Sequence, residues 1–233
     1  MKNLVIAGGG GFGAEAAWVA EEMNVADASP WNLLGYVDDD PSKIDLQFYG
    51  YKVLGLPEEV ADRMGHEEIW CYCAVGDNAA RERMAARLSG FGWRSATLIH
   101  PSVVRAKNVS IGEGTYVAPL SVLSPNCTLG RHVIINQRVA IGHDTTIGDF
   151  SNICPGAQVN GFCRVGQSSL VGSNASIRQN CSIGENSSVG ANSMVVRDVD
   201  SGVTVVGVPA RKIAVRREES LSMDSQGHAV GDE

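Results

Sequence analysis

Between residues 101 and 213 this chain has two histidines, His132 and His143, and only His143 has an acidic neighbour. The segment reads Ala140-Ile-Gly-His143-Asp144-Thr-Thr-Ile147-Gly-Asp-Phe150. Neutral imidazole is the usual general base near pH 7. A carboxylate at the next position can hydrogen-bond one ring nitrogen, fix the tautomer and stabilise the imidazolium formed when the other nitrogen takes a proton. His132 has no such neighbour and reads as a surface residue. An outward histidine can equally stand idle in solvent, and the adjacent acid alone does not decide between these readings. A second signal lies near the start, where Gly8-Gly-Gly10-Gly-Phe-Gly13 satisfies GxGxxG. Glycines at that spacing let backbone N–H groups approach a phosphate at a helix N-terminus. Asp38, Asp39 and Asp40 follow at a distance suited to a ribose or base. A tight glycine turn without a ligand gives the same pattern, and nucleotide-sugar binding ranks above dinucleotide binding because no substrate domain for a dehydrogenase follows. Six cysteines form no CxxC pair, and the start of an HExxH motif at His66 is broken by Trp70, so no metal site is expected.

These groups need a frame, and the sequence supplies one by repetition. Stepping by six from Ile111 to Val195 gives fifteen consecutive aliphatic residues. The residue four later is small or β-branched throughout, from Thr115 to Ser193, and glycine often follows the aliphatic, as at 112, 130, 142, 148, 166, 172, 184 and 190. This is the signature of a parallel β-solenoid, with each six-residue unit a short strand and a turn, and three units making one triangular coil. The aliphatic fills the prism, the small residue faces inward near a corner, and glycine is expected to permit the turn's backbone angles. Cys127, Cys163 and Cys181 occupy the small inward slot and read as buried and inert. At this phase His143 lies two residues after an inward aliphatic and points outward.

The first hundred residues read differently. Leu4–Ala7 is a short apolar strand before the glycine loop; residues 14–23 read as a helix and 33–37 as a second strand ending in the three aspartates. A third strand over 69–75 precedes Gly76-Asp77-Asn78 and a helix over 79–88, and 97–99 reads as a last short strand. The order is that of a Rossmann-like half, too short for a six-stranded dinucleotide fold. The expected domains are 1–100, 101–213, and a polar, disordered tail over 214–233. Net charge is −7 overall, −7 in residues 1–100 and +3 in 101–215. That balance disfavours nucleic acid as a partner and suits a polyanionic ligand on the repeat region. The apolar runs fall short of the ~18 residues of a membrane span, and the start lacks the pattern of a signal peptide. A cytoplasmic protein with reduced thiols is expected.

Taken together, the glycine loop, His100-Pro101-Ser102, Ile141-Gly-His-Asp144, Ile147-Gly-Asp-Phe150 and Val206-Gly-Val-Pro-Ala210 resemble the sugar O- and N-acyltransferase family. That family includes sialic acid O-acetyltransferases and bacillosamine and perosamine N-acetyltransferases, and the resemblance covers residues 1 to about 213. It implies a left-handed β-helix, a homotrimer with shared sites, acetyl-CoA as cosubstrate, and a role in polysaccharide biosynthesis. By the same resemblance His143 is the base and Asp144 orients it. Gly8, Gly10, Gly13 and Gly76 attend the nucleotide sugar, Asp38 and Asp39 its base or ribose, and Asn136 its sugar. Backbone N–H groups at Gly161, Gly172 and Ala191 meet the pantetheine arm, and Arg211 and Lys212 the phosphates of CoA. Two positions depart from the pattern. Asn152 stands where some members have a second histidine near the thioester, and Phe12 stands in a glycine loop that often holds a histidine.

The reading is an acetyl-CoA-dependent N-acetyltransferase of a UDP- or GDP-linked amino-deoxysugar, by direct transfer. Its rivals are O-acetylation of a sialic-acid-like sugar, a solenoid scaffold without chemistry, and a nicotinamide-dependent reductase.

Overall fold

The structure is a computed structural model and describes residues 1–26, 31–65 and 67–215. The N-terminal unit is a six-stranded sheet in the order β3-β4-β2-β1-β5-β6. Its strands are β1 (Lys2–Ala7), β2 (Trp31–Val37), β3 (Gln47–Phe48), β4 (Tyr51–Gly55), β5 (Ile69–Cys73) and β6 (Arg94–Ser95). Three helices cover it: α1 (Gly11–Val25), α2 (Pro57–Met64) and α3 (Asn78–Gly90). β1, β2 and β5 run parallel in the centre and carry near-continuous apolar residues, as a sheet buried on both faces requires. The sequence reading omits β3, β4, β6 and α2, and the expectation that this region is too short for six strands fails because β3 and β6 are only two residues each. The signals were present in the alternating Tyr51-Lys-Val-Leu-Gly55 and in Pro57 at the first helical turn.

Residues 97–99, expected to close this sheet, do not belong to it. Leu98–Ile99 pairs in parallel with Tyr116–Val117 and forms the first rung of the solenoid. From there each strand pairs with the one 18 residues on, and three stacked sheets make the faces of a triangular prism. The first face begins at Leu98–Ile99, the second at Val104–Arg105 and the third at Ser110–Ile111. The repeating aliphatics from Val117 to Val195 are almost fully buried and form one continuous core. Two end strands, Val203–Val206 and the antiparallel Arg211–Val215, close the first face. Of the tail expected over 214–233, residues 216–233 lie outside the described residues.

The small inward residues have a second reason to be Ser, Thr or Cys. Each of Thr115, Ser121, Thr145, Ser151 and Ser169 donates its hydroxyl to a carbonyl fifteen residues later, at 2.8 to 3.0 Å. Cys127 Sγ reaches Gly142 O at 3.0 Å in the same way. The repeat glycines act differently from expectation. Their φ angles are ordinary, and a Cβ at Gly112, Gly142 or Gly148 would lie 2.4 to 2.5 Å from backbone atoms of the next coil. Close coil stacking requires them. The left-handed slot falls two residues later, at Asn126, His132, Arg138, Asp144, Phe150, Phe162 and their equivalents.

α1 lies between the N-terminal sheet and the first face. One buried cluster joins Leu4, Ala16, Ala17, Tyr36 and Tyr72 to Leu98, Tyr116, Ala118 and Ile134 of the solenoid. The two units therefore share a core.

Candidate functional site

The junction is pinned by Arg81, whose relative exposure is 1%. From α3 its guanidinium donates to Val75 O and Gly76 O on its own side, at 2.9 and 3.2 Å. It donates to His132 O at 3.0 Å and Phe150 O at 2.6 Å across the junction, and to Asn78 Oδ1 at 2.9 Å. Neutral acceptors thus take the place of a carboxylate partner, and burial lowers its pKa. His132, expected at the surface, is here instead. Its ring stacks on Phe150 at 5.0 Å and 4°, and its Nδ1 is buried without a partner. Burial and the charges of Arg81 and Arg131 hold its pKa down to about 4.

Arg81 fixes the loop after β5, and that loop borders a cavity of about 330 Å³ between the two units. The lining is Gly11, Phe12, Glu15, Gly76, Ile134, Asn136 and Asn152. Asn136 Nδ2 donates to Asn152 Oδ1 at 3.0 Å, and Asn152 Nδ2 to Gly76 O at 3.3 Å. Asn152, which the resemblance puts near a thioester, stands in this chain with Asn136 and Gly76 and not beside His143. The reason is its register: it opens a rung of the first face, whereas His143 sits on a turn. Glu15 accepts from Gln137 Nε2 at 3.0 Å across the junction. Phe12 packs edge-on against Tyr72 and Tyr116, at 6.1 and 5.4 Å, so it closes the apolar end.

The glycine loop divides its labour. Gly13 is a packing residue rather than a phosphate contact, because a Cβ there would lie 2.1 Å from Gly8 O. Gly8 has φ +113° and lies against Ala74 O. Gly10 and Gly11 face open space at the start of α1, which has no side-chain cap. Those free N–H groups suit a phosphate. Asp38, expected at a ribose, is spent on the loop itself. It is 9% exposed; Oδ2 accepts from Gly9 N at 2.7 Å and Lys43 Nζ at 2.9 Å, and Oδ1 from Asp40 N at 2.9 Å. Asp39 lines a second cavity of about 270 Å³ with Val75, Ala80, Arg83, Met84 and Arg87. Arg87 pairs with both Asp39 and Glu58.

His143 lies elsewhere, on the turn from the second face to the third. That corner is the one the first face does not touch. Its Nδ1 is 2.8 Å from Asp144 Oδ2, and its side chain is 50% exposed. The hydrogen bonds to His143 and Asn126 hold the Asp144 carboxyl below its ordinary range. Phe162 meets the ring edge-on at 4.9 Å. Gly161 is its floor, since a Cβ there would come within 2.7 Å of His143 Nε2. With Nδ1 held by the carboxylate, Nε2 is the nitrogen left to exchange a proton. Gly161 therefore has a role as the seat of the imidazole. Gly172 and Ala191 adjoin one another at a different corner, between the first and second faces. Arg211 and Lys212 line a cavity of about 250 Å³ at the end of the prism, beside Asp198 and Asp200.

The first unit is similar to a known domain family: residues 3–88 match the PglD N-terminal domain. The bacterial transferase hexapeptide family matches residues 162–197 behind the PglD domain. UDP-N-acetylbacillosamine N-acetyltransferase of Bacillus subtilis is 37% identical over 121 residues, which spans 50% of this chain and 51% of that protein. Two crystallised neighbours cover nearly everything. PerB from Caulobacter crescentus, in complex with CoA and GDP-perosamine, is 27% identical with a TM-score of 0.82, over 92% of this chain and 98% of that one. The acetyltransferase domain of PglB from Neisseria gonorrhoeae, in complex with acetyl coenzyme A, is 28% identical with a TM-score of 0.81, over 91% and 99%. The resemblance to the sugar acyltransferases, and the pairing of a Rossmann-like parallel sheet with a left-handed β-helix, are thereby borne out.

Sequence reasoning missed Glu15, Ile134 and Arg81. Glu15 had a faint signal, one turn into the helix that follows a glycine loop. Ile134 and Arg81 had none, because only the docking of the two units gives them their place.

Proposed function

We propose that this protein transfers the acetyl group of acetyl-CoA to the amine of a nucleotide-linked amino-deoxysugar. The observation that carries the reading is the His143–Asp144 pair at 2.8 Å, with Nε2 over Gly161 and the side chain half exposed. The amine nitrogen bonds to the thioester carbonyl carbon as its proton passes to Nε2. Asp144 stabilises the imidazolium. The intermediate collapses by breaking the C–S bond, and the imidazolium returns its proton to sulfur, releasing CoA as the thiol. No cysteine stands beside His143 as an acyl carrier among the described residues: Cys127 and Cys163 are buried, with raised pKa values.

The cavity at the PglD domain supports an amino sugar over a sialic acid. Its lining has one carboxylate, Glu15, and no cation. A sialic acid would bring its own carboxylate against Glu15 in a half-enclosed site, whereas an amine or hydroxyl finds an acceptor there. The open N–H groups at Gly10 and Gly11 suit the diphosphate, and the cavity at Asp39 and Arg83 the nucleoside. The complexes of PerB with GDP-perosamine and of PglB with acetyl coenzyme A agree with this reading.

His143 and the cavity lie on different parts of one prism, so a single chain does not bring base and acceptor together. A homotrimer, in which the His143 corner of one prism meets the cavity of the next, supplies the missing half. Gly172 and Ala191 would then line the same groove from the neighbouring prism. We place the enzyme in the cytoplasm, where its substrates are made, in polysaccharide biosynthesis. Among the described residues no helix is long and apolar enough to cross a membrane.

The test is thiol release from acetyl-CoA with a panel of UDP- and GDP-linked 4-amino-6-deoxysugars, sialic acid being the O-acetyl control. Turnover with one amino sugar, lowered at least about 100-fold by His143→Ala, is expected. Turnover with sialic acid alone would overturn the reading.

A further inference from the structure

One column of the prism runs through the corner that holds His143. It takes the same left-handed slot in successive coils: Asn126, Asp144, Phe162 and Asn180, with φ of 63°, 58°, 57° and 62°. Asn108 lies one coil before them. In this slot the side chain projects along the prism axis toward the next coil, so residues 18 apart in sequence become neighbours. Asn108 Nδ2 donates to Asn126 Oδ1. Asn126 Nδ2 donates to Asp144 Oδ1 at 2.8 Å. Asp144 Oδ2 then meets His143 Nδ1 at 2.8 Å.

The direction of this chain is forced by its last member. An ionised carboxylate only accepts, so the atom of Asn126 facing Asp144 must be the amide nitrogen. Its oxygen is then turned back to Asn108, whose own nitrogen faces it. Each amide polarises the next, and the run ends on the carboxylate. The two oxygens of Asp144 are thereby divided, Oδ1 to Asn126 and Oδ2 to His143. Without Asn126 nothing holds that division, because the side chain is 35% exposed and adjacent in sequence to its partner.

We propose that Asn126 is a positioning residue for the proton-accepting pair, holding Asp144 so that one oxygen stays on His143 Nδ1 while Nε2 faces the amine. This rests on the acetyl-transfer reading of His143. Other contacts fix the remaining freedoms of the ring: Gly161 below, Phe162 at the edge, and Phe162 N donating to His143 O at 2.9 Å. The titratable groups facing the pair are Asp144 itself and Cys127 in the coil beneath, whose buried thiol stays protonated. Asn126 is thus the contact that sets the rotation of the carboxylate.

The test uses the full-length protein with Asn126→Gly and Asn126→Asp. Both residue types accept the left-handed slot, so folding is kept. Asn126→Gly deletes the donor and Asn126→Asp replaces it with a second carboxylate. For Asn126→Gly kcat is expected to fall about 5- to 10-fold with KM for acetyl-CoA and the unfolding temperature unchanged. The same substitution in an Asp144→Ala background should have no further effect, giving a non-additive cycle. A loss of the same size in both backgrounds overturns the proposal. A second readout is independent of turnover: the Nδ1 resonance of His143 in nitrogen-15-labelled protein, which reports its hydrogen bond to Asp144. In Asn126→Gly it is expected to move toward its position in Asp144→Ala. A resonance unchanged from wild type overturns the positioning role even if turnover falls. A shifted resonance in a protein inactive on every acceptor would keep the positioning role and sink the acetyl-transfer reading instead.

Discussion

The solenoid and the N-terminal α/β domain both hold candidate functional side chains, but they place them by different means. In the solenoid a residue's position follows from its number modulo 18. His143, Asp144, Asn126 and Gly161 share a corner because the period brings them there, and local coil contacts suffice to orient them. In the α/β domain nothing periodic operates. Gly10, Asp39, Gly76 and Glu15 converge through sheet order, helix docking and a buried arginine that bridges to the solenoid. Stacking errors in the first region are confined to neighbouring coils, whereas the second region depends on a few long-range contacts. On the proposed function, base chemistry sits on the repeat, and acceptor recognition sits where two units meet and where sequence change can reshape a cavity.

This contrast breaks most sharply at Arg81. Arg81→Ala removes the donor from five half-buried acceptors, four of them carbonyls on two units, and leaves all but Gly76 O without a partner, which should cost about 3 kcal/mol of stability. The loop at Gly76 loses its anchor, so KM for the nucleotide sugar should rise about 10- to 100-fold. Acetyl-CoA affinity should be unchanged, because Arg81 bonds only the corner of His132 and Phe150 and not those of His143 or of Gly172 and Ala191. Calorimetric titration of each substrate checks this, and a parallel loss of acetyl-CoA binding would mean that the two regions are not separable.

Gly161→Ala sharpens the same comparison from the other side. The added Cβ would stand 2.7 Å from His143 Nε2, so the imidazole must tilt away. The expected result is a fall in kcat of roughly 10-fold with nucleotide-sugar KM near wild type. Steady-state kinetics with each substrate varied in turn reads the split. Arg81 and Gly161 should therefore move opposite parameters.

The same division explains what could be read without coordinates. The coil period, the inward aliphatics, the buried cysteines and the outward His143 all follow from a fixed phase. The step beyond phase failed in both regions. The repeat glycines are set by coil-to-coil approach, not by φ, and the turn residues took the left-handed slot instead. His132 looked idle because its partner, Phe150, is 18 residues away and the arginine that covers it comes from another unit. Asp38 looked like a ligand for ribose because an acid at the end of a second strand so often is one; here Gly9 N and Lys43 take one of its oxygens and Asp40 N the other. Leu98–Ile99 looked like a last strand of the α/β sheet because two residues carry no register information. Glu15 and Arg81 became visible only when the units were docked.

The smallest effect expected belongs to His132, which sits between the two regions. Its folded-state pKa of about 4 lies below the usual value of 6.5, owing first to burial and then to Arg81 and Arg131. Between those values the unfolded chain binds a proton that the folded chain refuses. Stability therefore rises with pH through this window and falls as pH drops from about 6.5 toward 4. His132→Asn removes the titration and keeps a residue suited to φ 53°. From pH 7 to pH 5 the wild-type unfolding temperature should drop roughly 4 °C more than that of the variant. Scanning calorimetry of both proteins at the two pH values measures the difference. If the junction between the units opens early, the extra drop should appear in a separate low-temperature transition assignable to the α/β domain. If the shared core of α1 and the first face holds the two together, a single transition should shift as a whole. The continuous cluster from Leu4 to Ile134 favours the single transition. On that outcome, the α/β unit and the solenoid differ in how they place residues but not in how they unfold.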